Sequence, residues 1–189
     1  MNMKGFTLIE TMVAITILAF AVSGPLFTAN RAIIAAQTAR DQLVALYLAQ
    51  EGVEYVRMLR DNEYLNAYRE GGEDVSKDAW DNFLHNQSLG KCREDEYISK
   101  ICTLDSVLDD SALKSCSSDT CDPLYLAGNG AASNIYTQES SGNVRSPFTR
   151  TVQSVKISNN EEKIVSTVSW TFHGTPYTVT VSNHLTPWQ

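Results

Sequence analysis

The 189-residue chain reads as an α+β protein, with a long N-terminal helix packed on a C-terminal antiparallel β-sheet. Three observations predict it. Residues 6–27 form one apolar run, helical periodicity continues through 28–61, and residues 148–189 alternate as strands. The balance of 43% hydrophobic and 20% charged residues is that of a globular chain and argues against disorder. A net charge of -7 disfavours a nucleic-acid partner, because neutralising phosphates takes a surplus of Lys and Arg. The charge is uneven: residues 61–122 hold 15 acidic and 6 basic side chains, leaving 7 acidic and 9 basic elsewhere.

The apolar run carries one ionisable side chain, Glu10, and only Lys4 precedes it as a charge. Twenty-two helical residues span about 33 Å, enough to cross a hydrocarbon core. A lone positive charge on the short side holds that end in the cytoplasm and places the rest outside. Ala19-Phe20-Ala21 has the small-x-small form of a secretory cleavage site. Glu10 opposes that reading, since a carboxylate at membrane depth costs roughly 3 kcal/mol and points to function.

The string Lys4-Gly5-Phe6-Thr7-Leu8-Ile9-Glu10 resembles the processing motif of the type IV pilin and pseudopilin superfamily. The resemblance implies that a prepilin peptidase cuts between Gly5 and Phe6, removing a leader of residues 1–5, and N-methylates Phe6. It also implies that Glu10 neutralises the amino terminus, at Phe6, of a neighbouring subunit during assembly. A buried unpaired charge is costly, so such a pair would favour one axial register over others.

In the second segment, 28–61, Ala32, Ala36, Ala39, Leu43, Leu46, Val53 and Val56 recur every three or four residues. Arg57 and Asp61 stand four apart as a surface pair, and Gly52 weakens one turn without ending the helix. Where the two segments meet, Gly24 and Pro25 predict a helix break, as a kink or local melting, because Pro25 has no N–H for the Ala21 carbonyl. The helix would then run from 6 to about 61. Ala14, Ala19, Ala21 and Ala29 suit close helix packing. The stretch 48–54, followed by Arg57 and Arg60-Asp61, is similar to minor pilins.

Residues 62–147 read as a loop-rich, acidic, cysteine-containing part of the head. Gly71-Gly72 marks a break, 76–88 a short helix burying Trp80, Phe83 and Leu84, and Tyr97-Ile98 with Ile101-Cys102 a short strand. Gly128-Asn129-Gly130 is a turn signal. Residues 148–189 form a three-stranded meander over 148–158, 163–173 and 177–186. Ile164, Val168, Trp170 and Phe172 share one face of the second strand; Tyr177, Val179, Val181 and Leu185 share one face of the third. Val152 is out of phase with Val155 and Ile157, which suggests a bulge. The amphipathic half of the helix is the layer that this sheet needs. Trp188 is expected against the sheet edge.

Four cysteines, Cys92, Cys102, Cys116 and Cys121, suit an oxidising compartment and lack the spacing of a structural zinc site. Three disulfide connectivities are open, and the local pairs 92–102 and 116–121 are preferred. All four precede the strands, so the C-terminal disulfide loop of many major pilins does not carry over. Asp105, Asp109, Asp110, Asp119 and Asp122 do not match a calcium loop and read as a solvated acidic stretch. His85, His173 and His184 are scattered, and Asn86-Gln87-Ser88 is a chance-level glycosylation sequon. No catalytic set, metal site or cofactor is expected.

The resemblance therefore implies a structural subunit, of the minor pilin kind, and not an enzyme. It would sit in the inner membrane as a single-pass protein, N-terminus cytoplasmic and head outside, before joining a pilus at the cell surface. Its partners would be other pilin or pseudopilin subunits, the prepilin peptidase and an inner-membrane assembly platform. Two alternatives stand beside this: a pseudopilin of a type II secretion system, and a membrane-tethered binding module that never polymerises.

Overall fold

The computed structural model describes residues 5, 7–71, 73–85, 89–94, 100–107, 112–117, 121–128 and 135–187. The chain divides into two compact units, Met1–Asp41 and Gln42–Gln189. Helix α1 (Leu8–Glu70) contributes to both.

In the first unit α1 starts at Thr7, whose backbone carbonyl accepts from the amides of Glu10 and Thr11 at 3.1 and 3.2 Å. All described residues from 5 to 37 are exposed, so this unit has no core of its own. The local melting expected at Gly24 and Pro25 is absent: α1 remains helical through both. The proline ring fixes φ near −65°, which a helix accepts, and removes only the amide facing Ala21.

In the second unit α1 runs nine residues beyond the expected end at 61. Nothing in 62–70 breaks a helix, and Ala67 on that extension is buried. It stops where a left-handed residue is supplied: Gly71 has φ +73°, and its N–H donates to the Ala67 carbonyl at 3.2 Å. Asp74 then opens α2 (Val75–His85), its Oδ1 accepting from the Lys77 amide at 3.1 Å. Helix α2 buries Ala79, Trp80, Phe83 and Leu84. The Trp80 indole N–H donates to the Asn159 carbonyl at 2.9 Å, tying α2 to the turn between two strands.

The strands are β1 (Cys102–Leu104), β2 (Leu113–Ser115), β3 (Tyr125–Leu126), β4 (Tyr136–Thr137), β5 (Val144–Arg145), β6 (Thr149–Ser158), β7 (Glu161–Phe172) and β8 (Thr175–Leu185). Five form an antiparallel sheet in the order β2-β1-β6-β7-β8, and β4-β3-β5 form a small second sheet. The meander β6-β7-β8 and the faces predicted for β7 and β8 are present. The imperfect alternation of β6 has a simple cause. Its inner face carries Arg150, Val152 and Ser154, two of them polar, while Val155 is on the other face. The register shift lies between Lys156 and Ser158.

The stripe of α1 that meets the sheet differs from the one expected. Ala45, Leu48, Ala49, Gly52, Val53 and Val56 are buried, whereas Leu43 is 54% exposed and Leu46 36%. Small residues face the sheet because the two layers come close. A Cβ at Gly52 would lie 3.1 Å from Ser166 Cβ, 3.2 Å from Val152 Cγ2 and nearer still to Ser166 Oγ. Ala45, Leu48 and Ala49 cluster with Phe148, Val168 and Trp170, and Val53 and Val56 with Val152, Ile164 and Leu185. This part of α1 therefore runs parallel to β6 and β8 and against β7. On its surface, Arg57 pairs with Glu54 at 2.7 Å and Asp61 with Arg60 at 2.8 Å, in place of the spacing-four pair.

Asp105 also departs from expectation. It is 2% exposed, not solvated. Its Oδ2 accepts from Thr137 Oγ1 and the Gln138 amide, both at 3.0 Å, and its Oδ1 from the Val107 amide at 3.2 Å. The carboxylate thus ties the end of β1 to β4, and a region read as loop acquires order. Tyr97, Ile98, Asn86-Gln87-Ser88, Asp109, Asp110, Asp119, Asn129, Gly130 and Trp188 lie outside the described residues.

Candidate functional site

The first candidate is the N-terminal stretch. Gly5 is described, exposed and outside the helix, and a Cβ there would meet nothing within 4 Å. The fold therefore does not require glycine at position 5; a requirement for it has to come from outside the chain. Phe6 lies outside the described residues.

Thr7 is a residue whose part the sequence reading missed, although its signal was there. Thr7-Leu8-Ile9-Glu10 has the T-x-x-E form of a capping box. The Thr7 hydroxyl lies 3.4 Å from the Glu10 amide, half of that arrangement.

The polar side chains beyond it turn inward on their own helix. Thr11 donates to the Leu8 carbonyl at 2.8 Å, Thr16 to Val13 at 2.8 Å, Ser23 to Phe20 at 3.0 Å and Thr28 to Pro25 at 2.9 Å. Hydroxyls satisfied this way need no water, which suits a segment immersed in lipid or in other helices. Apolar side chains cover the rest: Leu8 is 74% exposed and Phe20 80%. This helix is long and apolar enough to cross a membrane, and none of its apolar window is buried within the chain. The Glu10 carboxylate is different from the hydroxyls. It makes no hydrogen bond or ion pair among the described residues of its own chain.

The second candidate is the polar framework beneath the sheet. Arg150 is fully buried on β6. Its Nη1 donates to the Leu48 carbonyl at 3.1 Å and to Glu51 Oε2 at 2.5 Å, and its Nη2 to the Leu104 carbonyl at 2.7 Å. One guanidinium thus joins α1, β1 and β6. Burial lowers its pKa, and the charges of Glu51 and then Asp105 work against that shift. The arrangement is one of support: two carbonyls and one carboxylate hold the two Nη atoms of a fully buried guanidinium, whose Nε has no hydrogen-bond partner among the described residues.

The cysteines form two short bridges, Cys92–Cys102 and Cys116–Cys121, with Cα atoms 5.3 and 4.8 Å apart. Cys92 and Cys102 are fully buried in the core that includes Phe83, Leu104 and Val152. The histidines stay apart from one another: His85 Nδ1 is 2.7 Å from the Asp81 carbonyl and His184 Nδ1 2.6 Å from Glu161 Oε1. Among the described residues no three His, Cys, Asp or Glu side chains are grouped to hold a metal. The structure thus brings the cysteines together in pairs and joins Arg150 to Glu51, while Gly5 and Glu10 stand on the separate N-terminal unit.

The family model for the prokaryotic N-terminal methylation motif matches residues 1–24. That span contains Gly5, Phe6, Thr7 and Glu10 and ends within the exposed apolar helix. No curated protein and no solved structure matches the chain.

Proposed function

We propose that this chain, whose N-terminus carries the methylation motif of type IV pilin-like prepilins and pseudopilins, is a minor pilin that assembles through α1. As a prepilin peptidase substrate it would lose residues 1–5, and Phe6 would become its methylated first residue. The supporting observation is the state of Glu10: a carboxylate without a partner among the described residues of its own chain, on a segment whose hydroxyls turn inward. A charge left alone in an apolar environment favours any arrangement that supplies the opposite charge. The amino group created on Phe6 of another copy is such a charge, and it stands at a helix start where the dipole is already positive. The exposed apolar surface of 8–34 would then serve twice, first against lipid and afterwards against neighbouring helices.

The head is a small, cross-braced α+β unit with no catalytic grouping among its described residues, which suits a structural subunit. Pseudopilins of type II secretion use the same N-terminal chemistry. The host system separates the two: loss of surface pili on deletion supports the pilin reading, and loss of protein secretion with pili intact replaces it with the pseudopilin.

The N-terminal reading is tested by intact mass and N-terminal sequencing of native protein. The expected species begins at Phe6 and carries one added methyl. Native protein beginning at Met1, or cut after Ala21, would overturn it.

A further inference from the structure

A second carboxylate in the head is as confined as Arg150. Glu162 on β7 is fully buried. Its Oε1 accepts from Arg93 Nε at 3.0 Å and Nη2 at 2.6 Å, and its Oε2 from the Ser154 hydroxyl at 2.9 Å. Among the described residues Arg93 is its one ion-pair partner; Lys156, opposite it in the strand register, is exposed and forms no ion pair with it.

Arg93 belongs to no helix or strand of length. It sits on a three-residue stretch laid along β6: the Ser154 amide donates to the Cys92 carbonyl at 2.9 Å, and the Glu94 amide to the Ser154 carbonyl at 2.7 Å. Beside this stretch, β1 meets the same strand at the pair Cys102 and Val152. The Cys92–Cys102 bridge therefore fastens two segments side by side along one edge of β6, and the residue next to the bridge is the one that neutralises Glu162.

We infer that the Cys92–Cys102 disulfide is a redox latch on the neutralisation of Glu162. While it is closed, residues 92–94 stay on β6 and Arg93 covers the carboxylate. When it opens, the covalent tie to β1 is lost and non-covalent contacts hold the stretch, among them its two backbone hydrogen bonds to β6 and the Arg93–Glu162 pair itself. Its departure strands a charge in the core. Removing one partner of a buried pair costs far more than the pair itself contributes. Among the described residues no buried ion pair adjoins the second disulfide, Cys116–Cys121, so the two bridges are not equivalent. The head thus reaches its full stability only where a disulfide-donating oxidant is present. Closing the latch by disulfide exchange takes two electrons and two protons from the thiols and leaves the donor as a dithiol; dithiothreitol reverses this, ending as its cyclic disulfide. The inference is independent of the filament reading.

The test uses the full chain in detergent, with Cys116→Ser and Cys121→Ser so that one bridge remains. Denaturant unfolding is measured with and without dithiothreitol, for this parent and for the same chain with Glu162→Gln. Reduction should raise the unfolded-to-folded ratio at least ~tenfold more in the parent than in the Gln variant, since a neutral amide needs no Arg93. A reduced parent that unfolds outright while the reduced Gln variant stays folded is the same result in stronger form. An equal reduction penalty in the two chains, or outright unfolding of both, would show that the bridge acts by chain restriction alone and would overturn the latch.

Discussion

Gly52 of α1 and Ser166 of β7 approach so closely that there is no room between them for a methyl group. Gly52 is buried in the middle of the helix, where glycine is a poor helix former, and Ser166 is fully buried with a hydroxyl that has no hydrogen-bond partner among the described residues. A glycine on one side and a small serine on the other let helix and sheet come this close.

Gly52→Ala should therefore destabilise the head, although it improves helix propensity by about 1 kcal/mol. Overpacking typically costs about 1–3 kcal/mol, and here Ser166 and Val152 both stand in the way. Ser166→Ala removes the unpartnered oxygen and should be neutral or stabilising. In the double variant much of the Gly52→Ala loss should be recovered. Denaturant midpoints for the four chains measure the coupling; simple additivity would show that the helix moves away from the sheet without cost.

Arg150 offers a second expectation. Arg150→Ala leaves the Leu104 carbonyl and Glu51 without this donor, takes the second donor from the Leu48 carbonyl, and should cost about 3 kcal/mol or more. Arg150→Lys keeps the charge but lacks the planar fork that reaches three acceptors, so it should recover only part of the loss. Full recovery by Lys in thermal unfolding would mean that charge alone, not the fork, holds α1 to β1.

Glu10 and Thr7 separate two roles within one short motif. If Glu10 acts between subunits, Glu10→Ala should leave cleavage and methylation intact and abolish entry into filaments. Thr7→Ala removes the helix cap, with a cost of about 1 kcal/mol, and should leave incorporation nearly unchanged. Filament preparations probed for the head measure both. Equal loss in the two variants would assign Glu10 to the cap.

Trp80→Phe is expected to be mild. It keeps the ring among Phe83 and its neighbours and removes the bond to the Asn159 carbonyl, worth about 1 kcal/mol. Because Asn159 is exposed, water can take the place of the indole, and a loss much above 2 kcal/mol in chemical denaturation would show that this bond fixes α2 on the sheet.

Periodicity decided how much of this was legible. The meander could be read because Ile164, Val168 and Trp170 sit two or four apart on one face, and nothing but the sheet produces that spacing. The start of the N-terminal segment could be read because a motif, and not packing, governs it. The inner stripe of α1 was read in part: Val53 and Val56 are buried as expected, but the residues before them were set on the wrong face. Leu43 and Leu46 drew attention, but the layer separation selects Ala45, Ala49 and Gly52. Asp105 and Arg150 were hidden for a related reason: a buried ionic group can be recognised only once its donors, remote in sequence, are in place. The helix end was placed nine residues early although Gly71-Gly72 was read as a break, and the left-handed Gly71 is what ends it.

The contact between Arg150 and the Leu48 carbonyl joins residues 102 positions apart. Much of what gives residues 42–70 an interior, Phe148, Val152, Ile164, Val168, Trp170 and Leu185, comes from strands near the opposite terminus, and such distant pairings are slow to form. During synthesis, then, the anchor emerges long before the surfaces that will shelter its continuation. Ribosomes must finish nearly the whole polypeptide before this globule can close, so nascent chains will spend their time tethered at one end and unshielded at the other.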